Sequence, residues 1–473
     1  MDKNILPKKS EFSSWYTAIL ELADIIDNRY PIKGCIVWKP YGYEIRQRVI
    51  EIMRKLLNET GHKECLFPLL IPESIFKKEA KHIRGFEGEV FWVTQGGSEK
   101  LNEKLVLRPT SETSIYPMFE KWIRSHRDLP LKIYQIVSVF RYETKHTRPL
   151  LRIREITTFK EAHTVHASAE DAEKQIEEAV KIYRRFFDFL CIPYLISRRP
   201  EWDKFAGAEY TIAFDTIFPN GKALQIGTVH NLGQNFARAF EIKYLDIDRE
   251  EKYVYQTCYG ISDRVIASLL VIHGDDRGLC LLPEIAPVQI VIVPIPYKGR
   301  EEEINTYANQ IYEKLKKEFR VVLDDRKDVR PGRKFYEWEL KGAPIRIEVG
   351  PEDVEQNKVT VFRRDKLARK QVSKEMLSKR IRELFVDIKE NLKKRAWEEF
   401  RNRVIYVKGE SEILEAIGNG IAYVNICGEC KKSVKSLERR LGIKVLGFWN
   451  STKKSCIFCG KETDQIVYFG RSY

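Results

Sequence analysis

No stretch of this 473-residue chain approaches the roughly 20 consecutive apolar residues that a membrane-spanning helix needs, so no membrane partner is expected. The opening residues, Met-Asp-Lys-Asn-Ile-Leu-Pro-Lys-Lys, carry no apolar leader, and a cytoplasmic protein is the expectation. Methionine is scarce, at 4 residues, while charged residues reach 32%, above the usual share of about a quarter; together these point towards a thermophile. Five of the 9 cysteines, Cys35, Cys65, Cys191, Cys258 and Cys280, are scattered among apolar neighbours and read as reduced core thiols.

What the chain does have is length and positive charge. With 43% hydrophobic residues it is a globular sequence, and 473 residues exceed what one core serves, so about three domains are expected. Lys plus Arg number 82 against 68 Asp plus Glu, a formal charge of +14 that favours a polyanionic partner without naming one.

Residues 136 to 163 concentrate the chemistry. Two β-branched and aromatic runs, Ile-Val-Ser-Val-Phe-Arg-Tyr-Glu-Thr and Ile-Arg-Glu-Ile-Thr-Thr-Phe-Lys-Glu-Ala-His, flank a loop in which Lys145, His146, Arg148 and Arg152 gather. They read as a long antiparallel hairpin. Alternation along a strand puts Arg141 and Glu143 on one face of the first arm, and Glu155, Thr157, Phe159, Glu161 and His163 on one face of the return arm. Cross-strand ion pairs would explain such a face in an ordinary hairpin. A concave face carrying guanidinium groups, a carboxylate and a phenyl ring also suits a nucleotide, with charge for phosphates, an acceptor for an amino group and a ring for stacking.

Elsewhere, Ile45, Val49, Ile52, Met53, Leu56 and Leu57 recur at helical spacing, ahead of a run interrupted by Pro68 that suits a sheet edge or an interface. In Leu-Val-Leu-Arg-Pro-Thr-Ser-Glu, ending at Glu112, Thr110 or Ser111 can cap the helix that follows; the same groups could accept an ammonium ion in a closed pocket. Residues 209 to 231 form a second hairpin turning at Pro219-Asn220-Gly221. Residues 253 to 273 run from a strand through Ser262-Asp263-Arg264 into a helix whose amino terminus is an anion site. Beyond residue 287 strands and helices alternate, as in an α/β sheet. Near the end, Cys427-Gly-Glu-Cys430 and Cys456-Ile-Phe-Cys459, 25 residues apart, form two Cys-x-x-Cys knuckles suited to a four-thiolate, structural zinc site with no open position.

Phe140-Arg141-Tyr142-Glu143, the basic loop and Arg154 to Phe159 resemble motif 2 of the class II aminoacyl-tRNA synthetases. The helix with its Pro-containing run resembles motif 1, which implies a homodimer; Arg-Pro-Thr-Ser-Glu and Ala-Leu-Gln-Ile-Gly-Thr-Val-His resemble the prolyl-type members, and Ser262-Asp263-Arg264 their motif 3. No domain-sized insertion separates motifs 2 and 3, as in the archaeal and eukaryote-like form. The resemblance implies an α+β class II catalytic domain on an antiparallel sheet (1–286), an α/β anticodon-binding domain (287–398) and a small α/β zinc-binding C-terminal domain (399–473).

It also implies ATP-dependent attachment of proline to tRNA(Pro) through an adenylate, with Mg2+ on the phosphates. Arg141, Glu143 and Arg264 would be catalytic; Arg152, Phe159, Gln225, Thr228 and Ser262 would join them around ATP. Thr110, Glu112, Arg141, Glu161, His163 and His230 would hold proline. Phe335, Trp338, Glu339, Lys341, Arg346 and Glu348 are candidates for reading anticodon bases, although Trp338 suits a core equally well. The closing Tyr473 resembles a tail that returns towards the active site. Strict alternation puts Gln225 opposite Thr228 and His230, so these roles require a kink near Gly227. Small substrates are discriminated weakly, so activation of cysteine or alanine is expected as well. The rival readings are a threonyl- or glycyl-type relative and a non-catalytic tRNA-binding paralogue.

Overall fold

The two β-rich arms of the basic region pair as the Leu131–Phe140 and Glu155–His166 strands, and they set the frame of the molecule. The structure, a computed structural model, describes residues 5–78, 88–144 and 146–473; Lys145 lies outside them. The return arm pairs with Tyr255–Ile261, which pairs with Ala223–Gly233, then Tyr210–Ile217 and Leu195–Arg198, all antiparallel. One face of this sheet is closed by the Ala169–Phe189 helix, whose Ser168 hydroxyl accepts from the Asp171 backbone at 3.1 Å as an N-cap. Its Tyr183, Phe186 and Phe187 are fully buried under the strands. The opposite face is left to the functional groups.

Both hairpins depart from simple alternation. In the return arm the register slips between the Val137–Phe159 and Val139–Ile156 pairs, so Thr157 and Thr158 occupy a bulge. That corrects one expectation: Ile156, Phe159 and Glu161 face the cleft, whereas Thr157 bonds to Asp263 and Glu155 lies outside the lining. In the second hairpin Phe214 pairs with Gly227 and Asp215 with Gln225, leaving Ile226 as the extra residue. The required kink therefore exists, one residue before the expected place, and it puts Gln225 on the same side as Thr228 and His230. Gly227 serves close approach: a Cβ there would lie 3.1 Å from the Tyr183 ring.

The Pro40–Glu59 helix forms as its spacing predicts, with proline in its first turn and Ile45, Val49, Met53 and Leu57 buried. A second sheet, with Ile290–Pro294 and Ile345–Val349 parallel at its centre, makes the α/β unit. The Leu377–Arg401 helix closes it and runs on past residue 398. The last strands do not stand apart. Lys444–Ser455 meets Leu195–Arg198 through the Phe448–Arg198 pair, extending the central sheet to 11 strands. Among the described residues no helix is long and apolar enough to cross a membrane.

Candidate active site

On the open face of the central sheet lies a cleft of about 300 Å³ that gathers side chains from stretches far apart in the chain. Thr110 precedes and Glu112 opens the Glu112–Trp122 helix, Arg141, Glu143, Arg152, Phe159 and Glu161 come from the basic hairpin, and Gln225, Thr228 and His230 from the second hairpin. Ser262 and Arg264 close it from the helix amino terminus. Of the residues expected around ATP and proline, all but His163 line this one cleft. His163 sits immediately behind Cys258.

At one end the groups are cationic. Arg141 is fixed by its Nε donating to the Pro109 carbonyl at 3.1 Å, and its guanidinium lies 5.6 Å from the Phe159 ring centroid. Arg264 Nε donates to Leu151 O at 3.1 Å, which aims the guanidinium back across the basic loop. Burial lowers Arg264 to about 10, and repulsion from Arg141 and Arg152 adds to it. Burial also lowers Arg141. A buried guanidinium whose ionisation is depressed by burial and by two neighbouring guanidinium groups makes a site whose missing complement is a polyanion.

The other end is a carboxylate niche. Thr110 Oγ1 donates to Glu112 Oε2 at 2.6 Å, so this threonine orients a carboxylate and does not cap the helix. Ser111, at the cap position, instead donates to Glu161 Oε1, which also accepts from Gln135 Nε2 at 3.0 Å. Burial lifts the Glu112 carboxyl above the usual range. Burial pushes Glu161 the same way, but the adjacent His163 ring and hydrogen bonds from Ser111 and Gln135 outweigh it and hold that carboxyl below the usual range. His230, pushed down to about 3 by burial, is a neutral ring; Thr211 Oγ1 bonds its Nδ1 at 2.9 Å and Phe205 packs on it at 4.7 Å between centroids.

Several residues here escaped the sequence reading. Cys258 is a buried core thiol that also forms part of the cleft wall, and only its pairing with His163 across the sheet reveals this. Asp263 accepts from Thr157 N at 2.9 Å and so ties the Arg264 helix to the bulge beside Phe159. Arg199 donates to Gln225 Oε1 at 2.9 Å while pairing with Asp215 at 2.8 Å. Phe205 belongs to a loop with no periodic signal. Conversely, Arg148 leaves the cationic group: its guanidinium lies 5.0 Å from the Tyr16 ring and 5.8 Å from that of Tyr473, and His146 is exposed. Tyr473 packs on Phe218 and its hydroxyl accepts from Asn220 Nδ2 at 2.9 Å, beside the turn of the second hairpin.

In the α/β unit, Arg346 is sandwiched between Phe335 and Phe362, 3.9 and 4.0 Å from their centroids, and pairs with Glu339 and Glu348 at 2.8 Å each. Trp338 is half-buried and donates to Asp324 at 2.9 Å. Lys341, its ammonium 5.6 Å from the Trp338 ring centroid, also pairs with Asp24 at 2.8 Å and lies over the Tyr41 ring, joining this unit to the first. The four knuckle cysteines converge with all sulfurs within 4.8 Å of one another. A tetrahedral zinc with bonds of about 2.3 Å sets its sulfurs about 3.8 Å apart, so the cluster fits that ion.

Comparison with known proteins gives the family. Residues 91–273 match the tRNA synthetase class II core domain (G, H, P, S and T), and residues 289–384 match the anticodon binding domain. The proline–tRNA ligase of Methanocaldococcus jannaschii is 61% identical over 392 residues, 83% of this chain and 86% of that protein. A Giardia lamblia prolyl-tRNA synthetase in complex with prolyl-adenylate superposes with a TM-score of 0.95 at 38% identity, covering 99% of this chain and 100% of that one. The Cryptosporidium parvum enzyme complexed with halofuginone and AMPPNP gives 0.93 at 32%, covering 100% and 98%. The chain belongs to the proline–tRNA ligases, of the class II aminoacyl-tRNA synthetases.

Proposed function

We propose that this protein joins proline to tRNA(Pro) through a prolyl-adenylate, and that the cleft is where both half-reactions occur. The observation that carries the reading is the convergence of Arg141, Arg152 and Arg264 beside the Glu112 niche. Attack of the proline carboxylate on the α-phosphate of ATP needs alignment and charge neutralisation more than a protein nucleophile. Arg141, between the cationic and acidic ends, holds the α-phosphate and the proline carboxylate. Arg152 and Arg264 take the outer phosphates. Phe159 stacks on adenine on the side away from Arg264, and Glu143 accepts from its amino group.

Thr228, Gln225 and Ser262 complete the ATP contacts; Gln225 is held in place by Arg199. Glu112, Thr110 and Glu161 receive the proline ammonium, and the neutral His230 with His163 closes the ring pocket. Magnesium on the phosphate oxygens would supply further neutralisation. The four knuckle thiolates would hold a structural zinc.

Phe335, Trp338, Glu339, Arg346 and Glu348 form the candidate anticodon surface, with Arg346 as its buried pivot; Lys341 serves the junction. The three domains divide near 287 and 398, the latter cut falling within the closing helix. Exposed Tyr43, Leu66, Leu69 and Leu70 support a homodimer through the Pro40–Glu59 helix and the strand after it. The setting is cytoplasmic.

ATP–pyrophosphate exchange measured with proline, threonine, glycine, cysteine and alanine in turn tests the assignment. Proline should give the fastest exchange, with slow activation of cysteine and alanine; faster exchange with threonine or glycine would overturn it.

A further inference from the structure

Among the described residues two clusters bring metal-binding donors together, and the second has no structural explanation. It consists of Glu112, His163 and Cys258, all buried, with each donor atom within 4.8 Å of the others. Cys258 Sγ lies 3.8 Å from Glu112 Oε1 and 3.8 Å from His163 Nε2. A tetrahedral zinc with bonds of about 2.0–2.3 Å to nitrogen, oxygen and sulfur sets such donors about 3.5 Å apart. A fourth group points the same way. Glu161 Oε2 is buried with no hydrogen-bond partner, 3.6 Å from His163 Nε2, while its sister oxygen takes the bonds from Ser111 and Gln135. A buried, unpaired carboxylate oxygen is costly unless something fills the space in front of it.

We propose that the floor of the amino-acid niche is a second zinc site, formed by Glu112, His163 and Cys258 with Glu161 as the fourth ligand. The donor set selects the metal: one thiolate, one imidazole and carboxylate oxygens suit zinc and are too soft for magnesium or calcium. Binding replaces the Cys258 proton, which leaves to solvent, and uses the His163 Nε2 lone pair. The imidazole proton then resides on Nδ1, which lies 3.0 Å from the Tyr116 hydroxyl and donates to its oxygen. Access is through the cleft, since Glu112, Glu161 and Cys258 line it.

Resting on the reading of Glu112 as the ammonium acceptor, zinc and proline exclude each other, and free zinc is an inhibitor competitive with proline. Bound zinc per chain, counted after removal of free metal, tests the site without reference to activity. The full chain exposed to excess zinc should retain two equivalents. Cys258→Ala should retain one and Cys456→Ala should lose the other, each remaining equivalent showing that the variant is folded. A non-hydrolysable prolyl-adenylate analogue should reduce the wild type to one. With proline above its KM, a tenfold rise in proline should raise the zinc needed for half-inhibition about tenfold. One equivalent in the wild type, or two in Cys258→Ala, would overturn the site. If exchange fails with proline while the zinc count is as expected, the functional reading fails and the site stands.

Discussion

At the scale of single residues, the cleft is built from side chains whose charge is set by burial and then corrected by chosen partners. Glu112 and Glu161 are both buried carboxyls, yet they are driven in opposite directions. Glu161 has His163, Ser111 and Gln135 to stabilise its charge, whereas for Glu112 burial and the neighbouring Glu161 outweigh the help of His163 and Thr110. Glu112 is therefore the group whose ionisation a bound ammonium would complete. Because its folded value is raised, lowering the pH protonates it first, so KM for proline is expected to climb as pH falls in the wild type. Glu112→Gln should raise that KM about 10- to 100-fold, the loss of one charged hydrogen-bond partner, and leave it nearly flat with pH. A Glu112→Gln enzyme with unchanged proline KM would remove this residue from the niche.

At the scale of elements, two bulges decide which side chains meet. Gln225 reaches the face of Thr228 and His230 because Ile226 is extra, and Phe159 keeps its place because Thr157 and Thr158 are looped out towards Asp263. Asp263 thus pins one element to another. Asp263→Ala should lower stability by about 1–3 kcal/mol, by leaving Thr157 N without its acceptor, and should raise KM for ATP more than KM for proline. Calorimetry and exchange kinetics check both; equal effects on the two substrates would show that Asp263 only stabilises the fold. Much of this level was legible in the sequence. Hairpins, the long amphipathic helix, the Arg264 helix and the Cys-x-x-Cys knuckles all announce themselves through local spacing and turn residues. The bulges were not, apart from the tension at Gly227, since a register slip depends on partners distant in the chain. The same limit hid Cys258, whose significance comes from lying opposite His163, and Phe205, whose loop has no periodicity.

At the scale of the whole molecule, the sequence motifs gave the order of the parts and tertiary packing gave their connection. The knuckle-bearing end joins the central sheet through one strand pair, and the tail runs back so that the Ala223 amide donates to Arg471 O at 2.7 Å, two residues from Gln225. Asp275 pairs with Arg364, and Asp24 with Lys341, across the first junction. Such long-range contacts lie beyond motif spacing. They matter because Arg141 and Arg264, 123 positions apart by their numbers, must act on a single ligand. Proline-dependent ATP–pyrophosphate exchange by Arg141→Ala tests that convergence most directly, with circular dichroism as the check on folding. Exchange should fall at least about 100- to 1000-fold, as for removal of one preorganised transition-state donor; a folded Arg141→Ala protein exchanging at the wild-type rate would contradict the account.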